Sequence, residues 1–158
     1  MLTTDYIGRV SDIDMFGLSS NPGLESATLT FGNGAVVAGP YKEAQKFLRI
    51  LLSDTGSIAS QPGYGAGLFK RLNFGLILNE SQFRVYFSSA KAKALEFMRI
   101  AKQKDGVRDP RFLDDEALTD VAIHSITISP GVFKLTLKFT FVDPDIDIII
   151  PVGVSVGT

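Results

Sequence analysis

His124 is the only histidine in the chain, and there is no cysteine. Thiolate nucleophiles, disulfides, Cys-type zinc or iron–sulfur sites and metal sites built from histidine pairs are therefore excluded. A Ser–His–Asp relay would have to run through His124, and no Gly-x-Ser-x-Gly elbow presents a serine to it. Because its neighbours alternate between apolar and polar, His124 is expected on a sheet or in the core. Carboxylates are the remaining acid–base candidates: Asp114-Asp115-Glu116 is an acidic run, and Glu80 opens a helical segment. Glycoside hydrolysis needs two carboxylates about 5–9 Å apart in unlike environments, and nothing pairs these residues across a cleft. Glu80 is expected to complement a helix dipole, and residues 114–116 to form a solvated loop. The stretch Gly63-Tyr64-Gly65-Ala66-Gly67-Leu68 lacks the Gly-Lys-Ser/Thr ending of a phosphate loop and follows no clear strand. Lys70 and Arg71 are expected as exposed bases on a short helical turn. No catalytic residue, metal site, cofactor or small-molecule substrate is expected.

Two other stretches have chemistry suited to structure and recognition. In Asp109-Pro110-Arg111 the proline biases Asp109 toward an extended backbone, which fixes the direction in which Arg111 projects. Arginine suits bidentate pairing at an interface; the plainer alternative is a turn in which Asp109 and Arg111 interact locally. In Pro62-Gly63-Tyr64-Gly65, Gly65 can take backbone angles other residues avoid. Tyr64 can bury its ring while its hydroxyl finds a partner. Pro62, Tyr64 and Gly65 are read as a structural loop.

The elements that would position these residues follow from periodicity. The 158 residues, 45% hydrophobic and 21% charged, match one soluble domain able to bury its own core. The net charge of −1 removes the broad attraction for phosphate on which non-specific nucleic-acid binding relies. Residues 1–20 include Asp5, Arg9, Asp12 and Asp14, so no signal-peptide apolar region is expected there, and no apolar run is long enough for a membrane helix. Residues 1–25 read as an irregular arm whose Met15-Phe16-Gly17-Leu18 cluster either packs back or docks on a partner. Residues 26–38 read as a β-hairpin turning at Gly32-Asn33-Gly34. Gly39-Pro40 opens a helix with Tyr41, Ala44, Leu48, Leu51 and Leu52 on one stripe, and Lys42, Glu43, Gln45, Lys46 and Arg49 mostly off it.

A structured loop over 57–67 and a helical turn over 68–72 come next. Asn79 or Ser81 caps a long helix whose stripe is Phe83, Tyr86, Phe87, Ala90, Ala94, Phe97, Met98 and Ala101. Val85, Ala92 and Leu95 lie off that stripe, as ordinary exposed apolar residues or as a partner's footprint. Beyond Asp109 the period becomes two: Ala122, His124, Ile126 and Ile128 share a face, and Leu135, Leu137, Phe139 and Phe141 another, across a turn at Pro130-Gly131. Asp143-Pro144 breaks the pairing, and a last strand from Asp145 is confined to a sheet edge by Pro151. The expected fold class is α+β: a mostly antiparallel sheet of N-terminal hairpin, C-terminal hairpin and edge strand, with two main helices on one face.

The order of these segments carries a resemblance. A leucine-rich helix running into Leu51-Leu52-Ser53-Asp54-Thr55-Gly56-Ser57, then Pro62-Gly63-Tyr64-Gly65 and Leu68, then a long helix, Asp109-Pro110-Arg111 and a hairpin resembles the small baseplate wedge protein, or sheath initiator, of contractile-tailed phages. That family is similar to the wedge subunit of type VI secretion baseplates, and a lysozyme-like label attaches to some of its relatives. The likeness covers roughly residues 26–150. It departs at Ser57 and Asp109, where the family has glutamate; the second change keeps the charge and shortens its reach.

The resemblance implies a structural component of a virion tail baseplate, assembled in the host cytoplasm, whose partners are other wedge proteins and the tail sheath protein. It implies that Asp109, Pro110 and Arg111 attach to the wedge core bundle. The final strand, with Ile146, Ile148 and Ile150, would start the sheath by strand addition. Nucleic-acid and membrane partners are not implied. A peptidoglycan hydrolase of the tail and a secretion-system subunit are the alternatives.

Overall fold

The computed structural model describes residues 11–16, 36–77, 79–106, 116–129 and 132–155. Strand β1 (Ser11–Ile13) pairs antiparallel with β2 (Val36–Ala38), so part of the arm expected to be irregular is a strand. Phe16 is buried in the core and Met15 packs against it, so this part of the apolar cluster folds back on the domain. The rest of the expected N-terminal hairpin, 26–35, lies outside the described residues.

Helix α1 (Gly39–Leu52) starts where Pro40 needs no intrahelical donor. Its buried surface is wider than the stripe read from sequence: Phe47 and Ile50 are buried, and so are Lys42 and Gln45. Neighbours on two sides explain this, because β1 crosses the helix at Gln45. The Gln45 amide donates to Ile13 O (2.8 Å) and its Oε1 accepts from Met15 N–H (2.7 Å). A buried amide satisfied at both ends is tolerated where an unpaired one would cost about 1–3 kcal/mol.

The chain after α1 turns back to close the helix end. Arg49 O accepts from Ser53 N–H, Ile50 O from Ala66 N–H at 2.9 Å, and Ser53 O from Gly67 N–H at 3.0 Å. Carbonyls left open by the helix terminus are thus filled by the loop. Gly65, at φ +97°, passes so close that a Cβ would lie 2.5 Å from Asp54 O and 2.6 Å from Ser53 O. Asp54 Oδ1 is buried in this turn without a hydrogen-bond partner. Helix α2 (Leu68–Asn73) follows, with Arg71 over the Tyr86 ring at 4.5 Å. Helix α3 (Glu80–Gly106) is capped by Asn79, whose Oδ1 accepts from Gln82 N–H at 2.9 Å.

Strands β3 (Leu118–Ser129), β4 (Val132–Phe141) and β5 (Asp147–Ser155) form one antiparallel sheet in the order β3-β4-β5, separate from the β1–β2 ribbon. Thus the α+β class holds, with the N-terminal strand in a ribbon of its own. Alternate residues of β4 and β5 bury one face under the helices, and Phe47 meets Phe139 edge-on at 5.8 Å.

In β3 the simple alternation fails. The register slips between Leu118 and Asp120 and again between Ile123 and Ser125, leaving one extra residue each time. Val121 is buried and Ile123 and Ile126 are partly so, whereas Ala122 and His124 are exposed. The expected face of Ala122, His124, Ile126 and Ile128 is corrected accordingly: the second bulge changes the phase at His124.

Candidate functional site

Positions 42, 46 and 49 recur at helical spacing, so α1 presents Lys42, Lys46 and Arg49 along one side. The loop sets Ile58, Gln61 and Tyr64 opposite, and the last turns of α3 add Met98, Ala101 and Lys102. With Ile50, Glu43, Glu116 and Ala117 these residues line a cleft of about 310 Å³. That is the lower end of the range for ligand sites. Its floor is mixed: Ile50 and Met98 are apolar, while Lys42 is buried with its ammonium 3.7 Å from both Glu43 and Glu116. Lys46 reaches Glu43 at 3.1 Å, and Arg49 reaches Asp12 of β1 at 3.3 Å.

Glu116 was expected in a solvated run. Instead it is buried against Lys42, because a carboxylate removed from water needs an ionic or hydrogen-bonded partner. Asp114 and Asp115 lie outside the described residues. Sequence reasoning missed Lys42, Gln45 and Glu116. The usable signal was Phe47 and Ile50, apolar residues outside the single stripe, which mark a helix enclosed on more than one side.

Tyr64 packs edge-on against Phe97 at 5.9 Å. Burial pushes its hydroxyl pKa up, with the nearby Arg49 charge acting the other way. Burial likewise raises Tyr41. The hydroxyl therefore remains a proton-bearing donor at neutral pH. Among the described residues, neither the Tyr64 hydroxyl nor the Gln61 side chain has a hydrogen-bond partner.

Of the residues singled out from sequence, Pro62, Tyr64 and Gly65 do lie in the loop that closes α1. Three of its amides are used internally: Tyr64 N–H donates to Gln61 O, and those of Ala66 and Gly67 serve the helix end, so these three are not available to cradle a phosphate. Asp109, Pro110 and Arg111 lie outside the described residues. Lys102, in the last turns of α3, and Glu116, the first described residue after them, both line the cleft. Ile146, Ile148 and Ile150 are buried on the helix-covered face of the sheet. Their side chains belong to the core, and what β5 can offer a neighbour is its backbone and the outward side chains between them, such as the exposed Ile149.

His124 is exposed on β3. Glu80 starts α3 and pairs with Arg84 at 2.6 Å. Farther along α3, the hydrogen bond from Arg99 holds the exposed Glu96 carboxyl below its usual range. Leu95 packs on the core, while Val85 and Ala92 are exposed. Among the described residues no group of three or more acidic or histidine side chains could hold a metal ion, and no helix is long and apolar enough to cross a membrane.

The two edges of the sheet differ. Strand β3 is interrupted by its two bulges, a common protection against unwanted pairing. Strand β5 keeps an unbroken register with β4 from Asp147 to Ser155 and has no described strand on its other side. Pro151 lies within it, which fits an edge because proline supplies no N–H to a ladder. No protein-family model matches the chain, and no curated protein matches it.

Proposed function

We propose that the protein is a structural component of a contractile-tail baseplate wedge, which attaches to the wedge core through Asp109–Arg111 and starts the sheath by accepting a strand on β5. The observation that supports this reading is the contrast between the two outer strands of the described sheet: β3 is bulged, and β5 is regular with no described strand beyond it. Regular open edges attract strands, and monomeric proteins usually blunt them. Ile149, 45% exposed between buried Ile148 and Ile150, supplies an apolar contact on the outward face.

The test is reconstitution with wedge and sheath proteins. Ile149→Lys places a charge beside the edge and should leave wedge binding intact while lowering sheath initiation. Arg111→Ala should abolish co-purification with the wedge while leaving the isolated fold unchanged. Normal sheaths with the first variant and normal wedge binding with the second would remove the assignment.

A second reading has one specific observation in its favour. Glu43 and Glu116 share a cleft, as the two carboxylates of a peptidoglycan hydrolase would. Both, however, lie 3.7 Å from the Lys42 ammonium, which occupies space a sugar and its attacking water would need. Lysis of purified cell walls that is lost in Glu116→Gln would establish the hydrolase in place of the assembly role.

A further inference from the structure

Two exposed turns far apart in the sequence carry opposite chemistry. Helix α2 ends in a closed turn with Gly75 at φ +64°. Phe74 N–H donates to Lys70 O at 3.1 Å, Gly75 N–H to Leu72 O at 3.2 Å and Leu76 N–H to Arg71 O at 3.1 Å. Leu76 is therefore held against the backbone of Arg71, and the Lys70 ammonium lies 5.9 Å from the Phe74 ring. Phe74 is 68% exposed and Leu76 55%, and Lys70 and Arg71 are exposed beside them. Bases are favoured in the last turn of a helix, but the helix gains nothing from a phenylalanine and a leucine left in water.

The turn between β4 and β5 is the counterpart. Asp143 Oδ1 accepts from Asp145 N–H at 3.0 Å and Asp143 O from Ile146 N–H at 3.3 Å, so its shape is fixed. It presents Val142, Pro144 and Asp145 to solvent. Among the described residues, neither Lys70 nor Arg71 has a carboxylate partner, and neither Asp143 nor Asp145 has a cationic one. We propose that the protein self-associates by seating the Val142–Asp145 turn of one copy on the Lys70–Leu76 turn of another. The two cations meet the two aspartates, and Phe74 and Leu76 cover Val142 and Pro144. Charge selects this occupant: two copies of the same turn would face like charges, so the contact joins unlike turns. The net charge of −1 disfavours an anionic membrane in its place.

The experiment is sedimentation equilibrium of the full chain at concentrations up to about 1 mM. Expected is reversible association that weakens as salt rises from about 0.01 M to about 0.15 M, where the screening length falls from about 30 Å to about 8 Å. Lys70→Glu with Arg71→Glu should weaken it about tenfold or more. The same is expected of Asp143→Asn with Asp145→Lys, which keeps the side-chain acceptor that shapes the turn. Mixed one to one, the two variants should associate again, because the unaltered turn of each meets the unaltered turn of the other. Restored association also shows that both variants fold. Phe74→Ser should give a smaller loss without altering charge.

A wild-type chain that stays monomeric, association that either double variant leaves unchanged, or a mixture that fails to associate would overturn the contact. A monomer that instead binds vesicles of phosphatidylcholine and phosphatidylserine, and loses that binding in Lys70→Glu with Arg71→Glu, would assign the α2 turn to a membrane surface. Self-association needs no wedge or sheath protein, and Ile149→Lys leaves both turns intact. Failure of this contact and failure of the assembly reading are therefore distinguishable.

Discussion

The loop after α1 and strand β5 both hold a glycine and a proline, but they use their backbones in opposite ways. In the loop, Ala66 and Gly67 donate to carbonyls at the helix end and Gly56 donates to Tyr64 O, so the segment closes on itself. Strand β5 is bonded to β4 along one side, and no described strand covers the other. Pro62-Gly63-Tyr64-Gly65, among the most recognisable stretches in the sequence, therefore does internal work. On the proposed assembly role, a partner strand would add at the β5 edge, beyond which no strand is described.

This contrast can be tested by stability measurements, and the largest effect should come from the loop. Gly65→Ala puts a Cβ against two backbone carbonyls at positive φ, and should cost about 4 kcal/mol in denaturant unfolding. A cost below about 1 kcal/mol would show that the junction gives way easily and is not a closed unit. Ile148→Ala, on the buried face of β5, should cost about 3 kcal/mol by leaving a cavity in the core. A near-neutral result would mean that β5 contributes little to the core and is free on both faces.

Gly75→Ala is the internal control for Gly65. Its φ is +64°, but no atom lies within 4 Å of the added Cβ, so conformational strain alone of about 1 kcal/mol is expected. Equal losses at the two glycines would remove close approach as the cause at Gly65. The smallest effect is expected for Ile149→Lys, within about 0.5 kcal/mol in the isolated protein, since its side chain faces solvent. A larger loss would mean that the outward face of β5 is already occupied by the chain itself.

Truncation cannot separate the roles of β5. Removing the chain beyond Asp143 would take Ile146, Ile148, Ile150 and Val152 out of the core, so a truncated protein would lose its fold together with its edge.

The sequence by itself determined the α+β class, the starts and ends of α1 and α2, the Asn79 cap, the β4 alternation and the edge position of β5. Each depends on signals acting over a few residues: proline at a helix start, a capping side chain, a period of two, or a proline excluded from a central strand. Only the tertiary structure decided that Lys42 and Glu116 are buried together, that Gln45 holds β1, and that bulges change the phase of β3. Those outcomes depend on segments far apart in the chain meeting, and on burial making an ion pair or a satisfied amide necessary. The cleft belongs to the second group. Its cations were visible as an ordinary solvated face of α1 until the loop, the end of α3 and Glu116 enclosed them.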